Sequence, residues 1–156
     1  MQNNTIMINV FDHNDTVKII DRIEELTAST TPKWGKMNVE QMLAHCNVTY
    51  EMVYDNKHQR PGVFKRFLLK LFVKNFVVSD KPYKQNLQTA PDFIISDSRN
   101  FENEKNRLVA YITKTQQLGA NYFDGKESLS FGKLTKNEWN NLFGKHLDHH
   151  LTQFGV

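Results

Sequence analysis

Cysteine is almost missing from this chain: Cys46 is the single one in 156 residues. One thiol excludes an intrachain disulfide framework and any metal site built from four thiolates. Long apolar runs are missing as well. The longest apolar-looking stretch, Val63 to Val78, is interrupted by Lys65, Arg66, Lys70, Lys74 and Asn75, whereas a membrane-spanning helix needs about 20 mostly apolar residues. The opening residues, Met1 to Thr5, lack the basic start and apolar run of a secretory signal. A reduced, cytoplasmic setting is therefore expected. Charge of one sign is scarce: 20 Lys and Arg stand against 17 Asp and Glu, a net +3 that is too small to imply nucleic acid. Alternating strand patterns, internal repeats and linker-like tracts are absent too, so one helical domain over 1–156 is expected. What the chain does have is six histidines, three of them within its last eleven residues.

Apolar residues recur at helical spacing in several segments. The first runs from about Asn14 to Thr27, with Val17, Ile20, Ile23 and Leu26 on one face and Asp12 or Asn14 to cap it. Pro32 and Gly35 then break the helical pattern. A second helix starts at Asn38, with Gln41 placed for a capping box, and runs to about Asp55. Between Phe64 and Val78, residues Phe64, Phe67, Leu68, Leu71, Phe72, Asn75 and Phe76 form a stripe opposite Arg66 and the lysines. Ser79 to Asp97 has no period and contains Pro82 and Pro91, which predicts a long loop of the kind often packed over a site. A helix from about Arg99 to Leu118 comes next, with Gly119 as its C-cap. A turn-rich connector leads to a last helix, capped by Thr135 with Glu138 at the capping-box position and stopped by Gly155. The pattern predicts an all-α protein, an antiparallel helical bundle.

Turning the last helix by about 100° per residue gathers Trp139, Phe143, His146, His150 and Phe154 in one sector. His146 and His150 thus lie in the apolar stripe, about 40° apart and one turn from each other. Two imidazoles in that relation can chelate one cation, and a metal would satisfy both polar groups at once. His149 is turned aside and is the weaker candidate. His45, on the second helix, sits toward one edge of a broad apolar arc, where its position alone is uninformative. His13 and His58 read as ordinary surface histidines. Cys46 reads as a small core residue.

Two motif groups carry a family resemblance. Trp34-Gly-Lys-Met-Asn-Val-Glu-Gln-Met-Leu-Ala-His45 stands early in the chain. Gly132-Lys-Leu-Thr-Lys-Asn-Glu-Trp139 and Lys145-His-Leu-Asp-His-His150-Leu-Thr-Gln-Phe-Gly stand at its end. Together they resemble the DinB-like superfamily of small metal-binding four-helix proteins. They are most similar to an uncharacterised branch with the Trp-Gly-Lys-Met start and the His-x-x-x-His end. The resemblance spans nearly the whole chain. It implies a four-helix bundle with three histidines around a divalent ion, and the matching positions are His45, His146 and His150. The residue pattern adds to that bundle an extra amphipathic segment, Phe64 to Val78, and the long loop from Ser79, both between the second and third bundle helices. Characterised relatives include transferases and isomerases that use low-molecular-weight thiols, and relatives often form homodimers. No thiol-binding motif is present here to carry that activity over residue by residue.

Three imidazoles leave a coordination position open, which is typical of catalytic sites. They suit Zn, Ni or Fe without selecting among them. The leading expectation is a metal-dependent enzyme of hydrolase or thiol-transferase type acting on a small molecule, with no nucleic-acid partner. Asp148, Glu51 and His149 are candidates to support the ligands. The alternative is a non-enzymatic, metal-stabilised binding module. Segment 57–84 holds eight Lys or Arg against Asp80 alone, a net +7 that leaves the rest of the chain at −4. With its Phe and Leu stripe it could contact an anionic surface. The simpler expectation is an amphipathic helix whose stripe packs on the bundle while its lysines are solvated.

Overall fold

In the computed structural model, residues 8–156 are described. Met1 to Thr5, where no secretory signal is expected, lie outside that range. The described chain is mostly helical. Helix α1 spans His13–Glu24, α2 Val39–Tyr54, α3 Val63–Leu68, α4 Lys74–Val78, α5 Phe101–Phe123 and α6 Lys136–Gln153. A π-helical turn, Leu69–Val73, joins α3 to α4, and a 3-10 turn, Pro91–Phe93, lies within the long loop. The connector before α6 contains a two-stranded antiparallel ladder, β1 (Glu127–Ser128) and β2 (Gly132–Lys133), with Glu127 opposite Lys133. None of the described helices is long and apolar enough to cross a membrane.

Local signals set most of these boundaries. Asn38 accepts from the Gln41 backbone N–H while the Gln41 side chain accepts from the Asn38 N–H, so α2 begins with a complete capping box. Thr135 and Glu138 do the same for α6. Gly119 does not end α5 as expected. It takes a left-handed φ of 75° that kinks the helix, and the chain continues helically to Phe123. The reason is tertiary: the Phe123 ring is fully buried against Phe11, Trp139 and Phe143, which holds the extra turn in place.

Helices α1 and α2 each pack against α5 and α6, and α5 packs on α6. Ile19 and Ile23 of α1, Met42 and Leu43 of α2, Leu108 and Ile112 of α5, and Phe143 and Leu147 of α6 share one core. At its centre Tyr50 stacks between Tyr111 and Phe143, with ring centroids at 5.6 and 4.9 Å. Helix α2 is the most enclosed: every residue from Met42 to Tyr50 is buried.

The 63–78 segment overturns one expectation. Its stripe does not pack on the other helices. Val63 is 91% exposed, Phe64 75%, Phe67 59%, Leu71 60%, Phe72 72% and Phe76 48%. Arg66, Leu69, Val73, Lys74 and Val77 are the half-buried side, and Val78 is buried. Polar anchors explain the reversal. Arg66 reaches Glu127 and Lys74 reaches Glu138, so the charged face is tied to the protein and the aromatic face is turned away from it.

Candidate metal centre

Helix α2 supplies His45, and α6 supplies His146 and His150. The three rings meet with centroids 4.9 Å (His45 to His146), 4.5 Å (His45 to His150) and 4.8 Å (His146 to His150) apart. One ring nitrogen from each lies within 4.8 Å of the others. His45 and His150 are buried and His146 is half-buried. The four-residue spacing on α6 stacks two imidazoles on the face toward α2, and the crossing of the two helices brings the third.

The hydrogen bonds on the far side of each ring determine what the near side can do. Nδ1 of His45 donates to the Phe93 carbonyl at 2.8 Å. A carbonyl only accepts, so the proton of neutral His45 is on Nδ1 and its Nε2 is a bare lone pair. Gln153 gives the same result for His150. Its amide Nε2 donates to the Trp34 carbonyl, which turns Oε1 toward His150 Nδ1 at 2.8 Å. Nδ1 of His150 must then donate, and its Nε2 is also bare. His146 faces the Thr49 hydroxyl through Nδ1 at 3.1 Å, and a hydroxyl can donate or accept. Nε2 of His146 lies 2.9 Å from Nε2 of His45. If Thr49 donates, His146 bears its proton on Nε2 and bonds to His45. If Thr49 accepts, three lone pairs converge, an arrangement that a cation stabilises and an empty space does not.

The electrostatics agree with neutral ligands. Burial pushes His45 below its ordinary pKa, and it pushes His150 down to about 3, with the neighbouring His45 adding to the effect. His146 is held well below its ordinary value by burial and then by His150 and His45. Neutral imidazole is the form that binds metal. The donor set could hold a metal ion: three neutral nitrogens, each oriented by an oxygen on its opposite edge. Among the described residues these three are the cluster of His, Cys, Asp or Glu side chains that could hold such an ion.

The structure brings together the three histidines named from the sequence and separates them from the proposed supporters. Asp148 pairs with Arg22 at 2.8 Å. Glu51 bonds Arg107 and accepts from His58 at 3.0 Å. Neither reaches the trio, because both lie on the flanks of their helices where cations of neighbouring elements meet them. His149 sits between Trp34 and Tyr83, edge-on to both rings, outside the set of converging nitrogens. Cys46 is buried, its thiol pushed up by burial and directed at Met42, as expected of a core residue.

The groups that do orient the rings had no sequence signal of their own. Phe93 acts through its backbone, and Thr49 and Gln153 are common residue types on helix faces. Gln153 is nonetheless closely held. Besides its bond to Trp34, its backbone carbonyl accepts from Lys33 N at 2.8 Å. Gly35 has a φ of +86°, and a Cβ there would fall 2.6 Å from Gln153 Nε2. The Trp34-Gly35 turn is thus a clamp on the residue that orients His150. Of the cavities, one of ≈ 410 Å³ is lined by Arg60, Pro61, Gly62, Val63, Arg66, Phe67 and Lys70, and one of ≈ 240 Å³ lies by Asp15, Arg22 and Asp148. Neither includes the histidines.

Residues 8–155 match a family model described as "Protein of unknown function (DUF1569)". No curated protein and no solved structure matches the chain.

Proposed function

The chain belongs to the DUF1569 family of proteins of unknown function, and we propose that in it His45, His146 and His150 hold one divalent metal ion in a single DinB-like helical domain over 1–156, a four-helix bundle formed by α1, α2, α5 and α6. The observation that carries this reading is the tautomer set: Phe93 and Gln153 fix bare Nε2 lone pairs on two imidazoles, and the third comes within 2.9 Å of one of them. Zn, Ni and Fe all fit three imidazole donors.

The activity best supported is metal-dependent chemistry on a small molecule, of hydrolase or thiol-transferase type. A bound ion would supply Lewis acidity toward a water or a thiol at its open position. The chain's own residues do the rest. Phe93, Thr49 and Gln153 fix ring orientation, and burial keeps the imidazoles unprotonated. A low-molecular-weight thiol as substrate and a homodimer as assembly are suggested by the resemblance, and a cytoplasmic setting by the scarcity of cysteine. The second reading is a non-enzymatic module in which the ion clips α2 to α6. What favours it is that the three ligands come from α2 and α6 alone, two helices that already pack on each other.

Metal analysis of untagged protein after loading, beside the His146→Ala variant, tests the site. Near-stoichiometric metal in the parent and little in the variant is the expected outcome; a parent that takes up none under any loading condition removes the proposal. Ion-dependent turnover of ester or thiol-adduct probes, lost in His146→Ala, would separate the enzyme from the clip.

A further inference from the structure

The aromatic face of the 63–78 segment is an unusual surface, independent of the metal reading. Exposed apolar residues are ordinary when scattered, but contiguous ones mark an interaction site. Here Val63, Phe64, Phe67, Leu68, Leu71, Phe72 and Phe76 are all exposed along one short rod.

Its geometry is specific. At about 100° per residue, residues 63, 64, 67, 68, 71 and 72 fall on one broad arc centred near Phe64 and Leu71, and Lys65 and Lys70 fall on its two opposite edges. A regular helix would then carry Phe76 around toward the protein. The π turn at Leu69–Val73 inserts extra chain and shifts the register. Phe76 stays on the outer arc, and Lys74 turns inward to Glu138. Apolar side chains flanked by lysines whose long stems can lie along them describe a helix lying in a lipid interface.

Charge narrows the occupant. No acid occurs between Val63 and Val78. Of the carboxylates nearby, Glu127 is engaged by Arg60 and Arg66 and Glu138 by Lys74, which leaves the exposed Asp80, beyond the end of α4 and off the aromatic arc, against the lysines of the segment. Lys65, Lys70, Lys81 and Lys84 form no ion pair among the described residues. A second copy docked symmetrically would set this patch against itself, lysines facing lysines with no carboxylate between them. An anionic surface meets both features at once. The ≈ 410 Å³ cavity opens beside the same face, and Arg60, Arg66 and Lys70 line it together with Val63 and Phe67. Arg66, one of the lining residues, has its Nε buried with no hydrogen-bond partner among the described residues.

We propose that the α3–α4 segment docks the protein on an anionic lipid bilayer, with its Phe and Leu arc in the acyl boundary and Lys65 and Lys70 at the headgroups. The full-length protein should float with phosphatidylcholine vesicles containing phosphatidylserine, and little with phosphatidylcholine alone. High salt should weaken the binding. Lys65→Ser with Lys70→Ser should weaken it roughly 25-fold, at about fivefold for each cation near the surface. Phe64→Ser with Phe72→Ser should abolish it. All four side chains are exposed, so both double variants should melt with the parent, which separates lost docking from lost folding. The proposal fails if the parent does not float with phosphatidylserine vesicles, or if both variants float as well as the parent. It fails equally if the parent is a dimer by sedimentation that Phe64→Ser with Phe72→Ser dissolves, without vesicle binding.

Discussion

At the scale of single residues, the site depends on which edge of each imidazole bears the proton, and that edge is selected by partners outside the trio. Gln153 is the clearest case, since its own orientation is fixed by Trp34 before it orients His150. Gln153→Ala should lower metal affinity about 10- to 100-fold, the usual cost of losing such an orienting partner, with the histidines intact. Competition against a chromophoric chelator would measure it, and unchanged affinity would remove Gln153 from the role. Acid should act through the same rings. In the unfolded chain His150 titrates near its ordinary value of 6.5, while in the fold it stays neutral down to about 3. The unfolded state therefore binds the extra proton between those two values, and stability falls as pH drops through that window. His150 should thereby shift the folding equilibrium of metal-free protein by up to about tenfold per pH unit there, and His45 and His146, also held below their ordinary value, act in the same direction. Urea midpoints measured at descending pH would show it, and a midpoint constant below pH 6.5 would contradict it.

At the scale of elements, capping and close approach position the histidine-bearing helices. The boxes at Asn38 and Thr135 each fix the start of one of them. Asn38→Ala and Thr135→Ala should each cost about 1 kcal/mol, and the two should add because the caps are on different helices. Denaturant unfolding of the single and double variants would check this. Gly35→Ala should do more. It forces a side chain into left-handed backbone and against Gln153, so it should lower both melting temperature and metal affinity. Loss of stability with unchanged metal affinity would mean that the turn holds the chain but not His150. Both capping boxes and the α6 histidine pair were legible because they depend on spacing along a single helix. The end of α5 was not, because Gly119 stops a helix only when no distant core pulls the chain onward, and Phe123 has such a core.

At the scale of the whole molecule, a shared ion would join α2 to α6 across the core, so binding should be visible in global stability. Saturating divalent metal should raise the melting temperature, a chelator should return it to the metal-free value, and His146→Ala should be insensitive to both. Calorimetric scans of parent and variant under the three conditions decide it, and equal melting temperatures with and without metal would argue against coupling. The long loop takes part in the same connection. It contributes the Phe93 carbonyl to His45 and Tyr83 to the flank of His149, between the docking segment and the histidines.

The sequence by itself determined the helical character, the starts of α2 and α6, and the pairing of His146 with His150, because each depends on residues within a turn or two of each other. The family resemblance added His45, which no wheel could select. The tertiary structure explains why: from Met42 to Tyr50 the helix is enclosed on all sides, so no solvent face exists to contrast with a functional one. Three other features were likewise decided only by the fold. The orienting partners Phe93 and Thr49 come from distant elements, and Gln153, one turn beyond His150 on α6, is turned toward it by the distant Trp34 carbonyl. Asp148 and Glu51 were removed from the site by cations elsewhere in the chain. The aromatic stripe of 63–78 faces outward because Glu127 and Glu138 hold the opposite side, and a periodic pattern states only that a helix has two faces, not which of them meets the core.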